Sequence, residues 1–242
     1  MQHHEGHSET HSGPHAHHEH HHGHDFAEAN RQHFNQTAHT YNDVPQARER
    51  GRRIAEEMRK VYTFSEDTTT VMEYACGTGL VSQELAPYAK AIVGIDISQG
   101  MVDQYNQSVA NQGLAPEEMK AVCVELKGEE GELDGAKFDV IVCASAYHHF
   151  SSIADVTRTL AYFLKPGGSL LVADLMKGVE GGEIVTPEVH HMVPHRGGFG
   201  EADIREVFDG AGLVNFTYGK AAEGTHLGRK IELFIAKGDK LV

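Results

Sequence analysis

Residues 71–80 read VMEYACGTGL, and this stretch decides the fold. An apolar run of strand length passes into Gly77-Thr78-Gly79 and then into the apolar residues of a helix. In a parallel α/β sheet, the sequence strand, glycine turn, helix presents backbone N–H groups to a ligand at the strand end. Glycines at 77 and 79 permit a tight turn and close approach to those amides, and Ala75 keeps the same surface small.

The next strand candidate, IVGID, ends on Asp96. It lies about 20 residues beyond the turn, where nucleotide-binding folds place an acid that accepts ribose hydroxyls. The full dinucleotide fingerprint is absent, because Ser82 stands where the third glycine belongs. No Lys-Ser/Thr pair follows the turn, so a triphosphate loop fails as well. What remains suits a nucleoside ligand without a pyrophosphate.

Four stretches together resemble the class I S-adenosylmethionine-dependent methyltransferases: VMEYACGTGL (71–80), IVGIDIS (92–98), FDVIVCASAYHHF (138–150) and LKPGGSLLVAD (164–174). The resemblance covers roughly residues 44–237 and implies a Rossmann-like α/β fold. That fold has a seven-stranded, mostly parallel sheet, a C-terminal antiparallel hairpin and helices on both faces. It implies S-adenosyl-L-methionine as cofactor. Glu73 and the backbone of Ala75, Gly77 and Gly79 would surround the methionine portion, Asp96 the ribose, and Ile97 the adenine. Glu125 and Leu126 fall where an acid often approaches the adenine amino group, although ELKGEE departs from the usual acid-plus-small-residue pattern. Ala144 and Ser145 would lie near the sulfonium, and Tyr147 near the substrate entrance. Tyr41 either folds over the cofactor or packs between helices.

Around this centre the pattern is regular. Helical spacing runs from Asp25 through Ala38 and again over Val44–Tyr62. Strand candidates are Val71–Ala75, Ala91–Asp96, Lys120–Glu125, Phe138–Ala144 and Ser169–Asp174, with helices at Leu80–Leu85, Gln99–Gln112 and Ser152–Leu164 between several of them. This alternation predicts a parallel sheet covered on both faces. Pro166-Gly167-Gly168 reads as a turn before the fifth strand. A helix over Glu201–Ala211 precedes two strands, Leu213–Tyr218 and Lys230–Ala236, that a polar stretch with His226 separates. The expected organisation is a His-rich tail (1–24), N-terminal helices (25–62) and a core (63–242) in which 176–200 is a substrate cap.

The histidines divide in the same way. Of 19, 11 fall in residues 1–24, a segment with almost nothing to bury. The tail is expected to be disordered, and its imidazoles could bind divalent metal weakly without a fixed ligand set. The functional candidates lie elsewhere. His148 is expected to touch substrate or a bound water, and His195 to share proton transfer. His149, His191 and Arg196 are expected to line the substrate, with Arg196 holding either a substrate carboxylate or a neighbouring acid. No metal centre is assigned.

Composition narrows the partners. The chain of 242 residues carries 35 acidic against 21 basic side chains, a net charge of −14, which argues against nucleic acid. No apolar run is long enough to span a membrane, the amino terminus is polar, and three cysteines form no CxxC pair, so a cytoplasmic compartment is expected. The reading is methyl transfer to a small-molecule oxygen, nitrogen or sulfur nucleophile. The alternatives are a protein side-chain methyltransferase and a non-catalytic nucleoside- or metal-binding protein.

Overall fold

A computed structural model describes Met1 and residues 25–44, 46–178, 183–226 and 229–242. The His-rich tail, with its expected disorder and metal binding, lies outside the described residues.

Seven strands form one sheet: β1 (Thr70–Tyr74), β2 (Ala91–Asp96), β3 (Met119–Cys123), β4 (Phe138–Ala144), β5 (Leu164–Leu175), β6 (Leu213–His226) and β7 (Arg229–Lys240). Their order is β3-β2-β1-β4-β5-β7-β6. β1 to β5 pair in parallel, and β7 runs antiparallel to both β5 and β6. Among the described residues six α-helices accompany it: α1 (Phe26–Thr37), α2 (Ala47–Val61), α3 (Leu80–Leu85), α4 (Gln99–Asn111), α5 (Ile153–Phe163) and α6 (Glu201–Gly210).

The strands alternate between two cores. Met72 and Ile141 face the layer of Leu160, Phe163, Ile204 and Phe208 from α5 and α6. Val71 and Val140 face Ile54, Met58, Leu85 and Tyr105 from α2, α3 and α4. Burial on both faces is why the central strands read as unbroken apolar runs. The chain leaves β1 towards β2 and later crosses to β4 on the other side, so a crevice opens between the carboxyl ends of β1 and β4, where such sheets bind ligands.

Three boundaries differ from the sequence-based expectation. α2 begins at Ala47 rather than Val44, because a 3-10 turn over Ala38–Asp43 and a left-handed Gln46 (φ 64°) redirect the chain first. Pro166-Gly167-Gly168 is part of β5, absorbed by a register shift opposite Phe138 and Val140, rather than a separate turn. The polar stretch beyond Tyr218 continues both hairpin strands, since Lys220 pairs with Phe234 and Glu223 with Glu232. Among the described residues, no helix is long and apolar enough to cross a membrane.

Candidate active site

The glycine turn is held by its own backbone. Cys76 N–H donates to the Ile95 carbonyl at 3.0 Å and Gly79 N–H to the Cys76 carbonyl at 2.9 Å. Ala75, Gly77 and Gly79 all have positive φ (54°, 52° and 82°). The left-handed conformation costs a non-glycine residue roughly 1–2 kcal/mol, and such strain gathers where function requires an unusual backbone. Ser145, at the top of β4, is another such residue (φ 54°) and is pinned by its N–H to the Ala173 carbonyl at 2.7 Å.

Above these strand ends lies a cavity of about 340 Å³, within the range of a small-molecule site. Glu73, Ala75, Gly77, Asp96, Ile97, Glu125, Ala144 and Tyr41 all line it. Asp96 accepts Gly77 N–H at 2.8 Å and Ser98 N–H at 2.9 Å, one on each carboxylate oxygen. Burial raises its pKa against the pull of these amides. Glu73 accepts Ser82 N–H at 2.9 Å and the Ser82 hydroxyl on the same oxygen. Its full burial pushes its carboxyl up to about 7. Arg50 of α2 is the one Lys or Arg among the described lining residues, and no ion pair with it is described.

Helix α1 and the turn after it form the roof. Asn35 Oδ1 accepts the Ser98 hydroxyl at 2.8 Å and Gly100 N–H at 2.9 Å. The Thr78 hydroxyl donates to Asn42 at 2.6 Å, and Arg31 pairs with Glu125 at 3.0 Å. The roof is therefore tied to the loops after β1, β2 and β3. The Phe34 ring meets Tyr41 and His149 edge-on, with centroids 6.2 and 5.5 Å apart.

Several expected site residues lie elsewhere. Gly79 does not line the cavity: a Cβ there would meet the Tyr105 ring at 2.5 Å, so this glycine admits a packed aromatic rather than a ligand. Leu126 is buried in the core beneath α5 and α6. Tyr147 is wholly buried, its hydroxyl 2.9 Å from that of Thr157, and is no part of an entrance. His148 also stays off the cavity wall, because its Nδ1 turns to Asp174 at 2.7 Å. Its neighbour His149 does line the cavity. A 3-10 turn over Tyr147–His149 sends these consecutive side chains in different directions.

The cap histidines do not reach the cavity. His195 packs on Phe199, with centroids 5.0 Å apart, and burial lowers its pKa. His191 and Arg196 stay outside the lining, and Arg196 pairs with a neighbouring acid, Glu183, at 3.2 Å. Among the described residues no three His, Cys, Asp or Glu side chains converge as a metal set. Asn30, Phe34 and Arg50 line the cavity without having been expected to. Phe34 sits on the apolar helical spacing, whereas Asn30 and Arg50 carry no distinguishing signal in the sequence.

Comparisons with known proteins agree with this geometry. A family profile described as a methyltransferase domain matches residues 71–168. An uncharacterized methyltransferase of Schizosaccharomyces pombe is 41% identical over 152 residues, 60% of this chain and 54% of that protein. A ubiquinone biosynthesis O-methyltransferase of Caulobacter vibrioides is 31% identical over 106 residues, 44% of this chain and 40% of that protein. The matched regions thus span about half the length of these relatives, or less. Among solved structures, the magnesium protoporphyrin IX methyltransferase of Synechocystis, crystallised with S-adenosylhomocysteine, superposes with a TM-score of 0.65 at 19% identity, covering 89% of this chain and all of that one.

Proposed function

The chain belongs to the class I S-adenosylmethionine-dependent methyltransferases, and from that premise we propose that it methylates a small-molecule oxygen, nitrogen or sulfur nucleophile in the cavity above β1 and β4. One observation carries the reading. The buried Glu73, the partly buried Asp96 and a single arginine surround the glycine turn, and a mainly apolar compartment with aromatic walls adjoins them.

These residues fit the cofactor group by group. Asp96, already oriented by two amides, accepts the ribose hydroxyls. Glu73 faces the methionine ammonium, and the positive charge repays the desolvation that raises its pKa. Arg50 takes the methionine carboxylate. Gly77 has no atom within 4 Å of where a Cβ would stand, so a ligand can approach its backbone. Ile97 and Val124 form an apolar slot for adenine, with Glu125 at its edge.

When bound, S-adenosylmethionine supplies a methyl group activated by its own sulfonium charge. The chain has to hold an acceptor in line with that methyl and keep water away. Phe34, Tyr41 and Phe150 exclude water from the compartment. Relatives named as ubiquinone biosynthesis O-methyltransferases support a small-molecule acceptor over a protein side chain.

The test is calorimetric titration with S-adenosylhomocysteine, followed by mass analysis of products after incubation with labelled cofactor and either a metabolite mixture or a peptide mixture. Labelled small molecules and unlabelled peptides are expected. Absence of cofactor binding refutes the reading, and labelled peptides alone refute the acceptor class.

A further inference from the structure

At the acceptor end of the cavity, we propose that Asn30 Oδ1 and His149 Nε2 form a two-acceptor subsite for the –NH₂ group of a primary amine carried on an apolar or aromatic body. The inference rests on the methyltransferase reading and names its substrate class.

The hydrogen bonds orient both side chains. Asn30 Nδ2 donates to the Phe26 carbonyl at 2.7 Å and to the Met192 carbonyl at 2.9 Å. Carbonyls only accept, so the nitrogen end of the amide is identified and both its hydrogens are used. Oδ1 is left buried with no partner among the described residues, on a side chain that lines the cavity. A buried acceptor without a donor costs roughly 1–3 kcal/mol, which a ligand hydrogen would recover.

His149 hangs from the same carbonyl. Its Nδ1 lies 3.2 Å from Met192 O and must be the protonated nitrogen, which leaves the Nε2 lone pair as acceptor. Burial, with His148 beside it, pushes its pKa down to about 3. At neutral pH the ring keeps its Nδ1 proton, accepts a hydrogen bond at Nε2 and does not take up a second proton. The surrounding wall is Ala27, Phe34, Phe150 and Val156, which suits an apolar body.

Two acceptors call for two hydrogens. A neutral primary amine has two N–H bonds and one lone pair, so both acceptors can be satisfied while the lone pair stays free. An alcohol has one hydrogen and leaves one acceptor orphaned. In the reaction the amine lone pair forms the new N–C bond as the C–S bond to that methyl breaks, and the breaking pair remains on sulfur. The positive charge passes from sulfur to nitrogen. Both hydrogens stay on the resulting secondary ammonium, so the step releases no proton and requires no base. The ammonium proton of the free substrate is lost to solvent beforehand. As charge grows on nitrogen both hydrogen bonds strengthen, which favours the transition state over the bound amine.

The experiment is calorimetric binding to the full chain saturated with S-adenosylhomocysteine, at pH 9. The probes are 2-phenylethylamine, 2-phenylethanol and N,N-dimethyl-2-phenylethylamine. The primary amine is expected to bind at least about tenfold more tightly than the other two, since a site built for N–H rejects analogues without it. His149→Phe and Asn30→Leu are each expected to remove most of that preference, with S-adenosylhomocysteine affinity reporting an intact fold. Equal binding of amine and alcohol, or no binding by any probe, overturns the proposal. So does an amine preference unchanged in the folded variants, which would assign the Asn30 oxygen to a buried water. If the wild type fails to bind S-adenosylhomocysteine, the methyltransferase reading itself falls and takes the subsite with it. Cofactor binding without amine preference removes the subsite alone.

Discussion

His148 Nδ1 lies 2.7 Å from Asp174 Oδ1, and the Asp174 carboxylate is sealed inside the protein at the end of β5. The pair joins the loop after β4 to β5, and neither residue lines the cavity. Burial works to raise the Asp174 pKa, but the facing imidazole and the Leu175 amide hold it below the ordinary carboxylate range.

Breaking that pair should therefore cost stability and not ligand binding. Asp174→Ala is expected to lower the unfolding free energy by about 3 kcal/mol or more. The folded-state pKa is depressed, so the contribution is present above the unfolded value near 4 and lost as pH falls through the folded one. Urea midpoints for wild type and variant should converge in strong acid, while affinity for S-adenosylhomocysteine stays within a few-fold at pH 7.

The two glycines of the turn should separate cleanly. At Gly79 (φ 82°) a methyl meets Tyr105 at 2.5 Å, so Gly79→Ala is expected to destabilise the fold by about 2–3 kcal/mol. At Gly77 (φ 52°) nothing lies within 4 Å, so Gly77→Ala bears only the backbone cost of roughly 1–2 kcal/mol. Gly77→Ala should instead weaken cofactor binding at least about tenfold, because its methyl faces the ligand. Thermal unfolding and calorimetry on both variants check the contrast.

Cofactor affinity should rise with pH through the neutral range. Glu73 is protonated below about 7 in the free protein, and a neutral carboxyl attracts the methionine ammonium weakly. S-adenosylhomocysteine should bind more tightly at pH 8 than at pH 6, with proton release near pH 6.5. Glu73→Gln is expected to flatten the profile. A profile unchanged by the substitution contradicts the pairing.

Asp96→Ala removes a carboxylate that orders two amides as well as the proposed ribose contacts. With hydrogen bonds to a charged group worth about 1.5–3 kcal/mol each, affinity should fall by about 100-fold or more. Affinity within threefold of wild type rules out the ribose role.

Roof contacts should govern dissociation. Asn35→Ala deletes the bonds to Ser98 and Gly100 without touching the cavity wall. Stopped-flow measurement should show cofactor release several-fold faster, with a smaller change in association. Deleting residues 1–24 should leave both rates unchanged, since every lining residue lies at Ala27 or beyond.

Read alone, the sequence determined the sheet, the cofactor and several of the residues that line the cavity. Those features are local: an apolar run, a glycine turn and an acid at a strand end all signal within one short segment. Glu73, Gly77 and Asp96 stand where their motifs placed them. Only the tertiary structure decided which of the other candidate residues reach the cavity. Consecutive His148 and His149 part company because a 3-10 turn aims one at Asp174 and the other at Met192. Gly79 turned out to serve Tyr105, a neighbour 26 residues away in the chain that no turn motif encodes. Asn30 is ordinary until folding brings Met192, 162 residues distant, against it, whose carbonyl takes the amide hydrogen that the Phe26 carbonyl leaves free. Side-chain direction and unsatisfied hydrogen bonds arise from contacts between distant segments, and a linear pattern does not carry them.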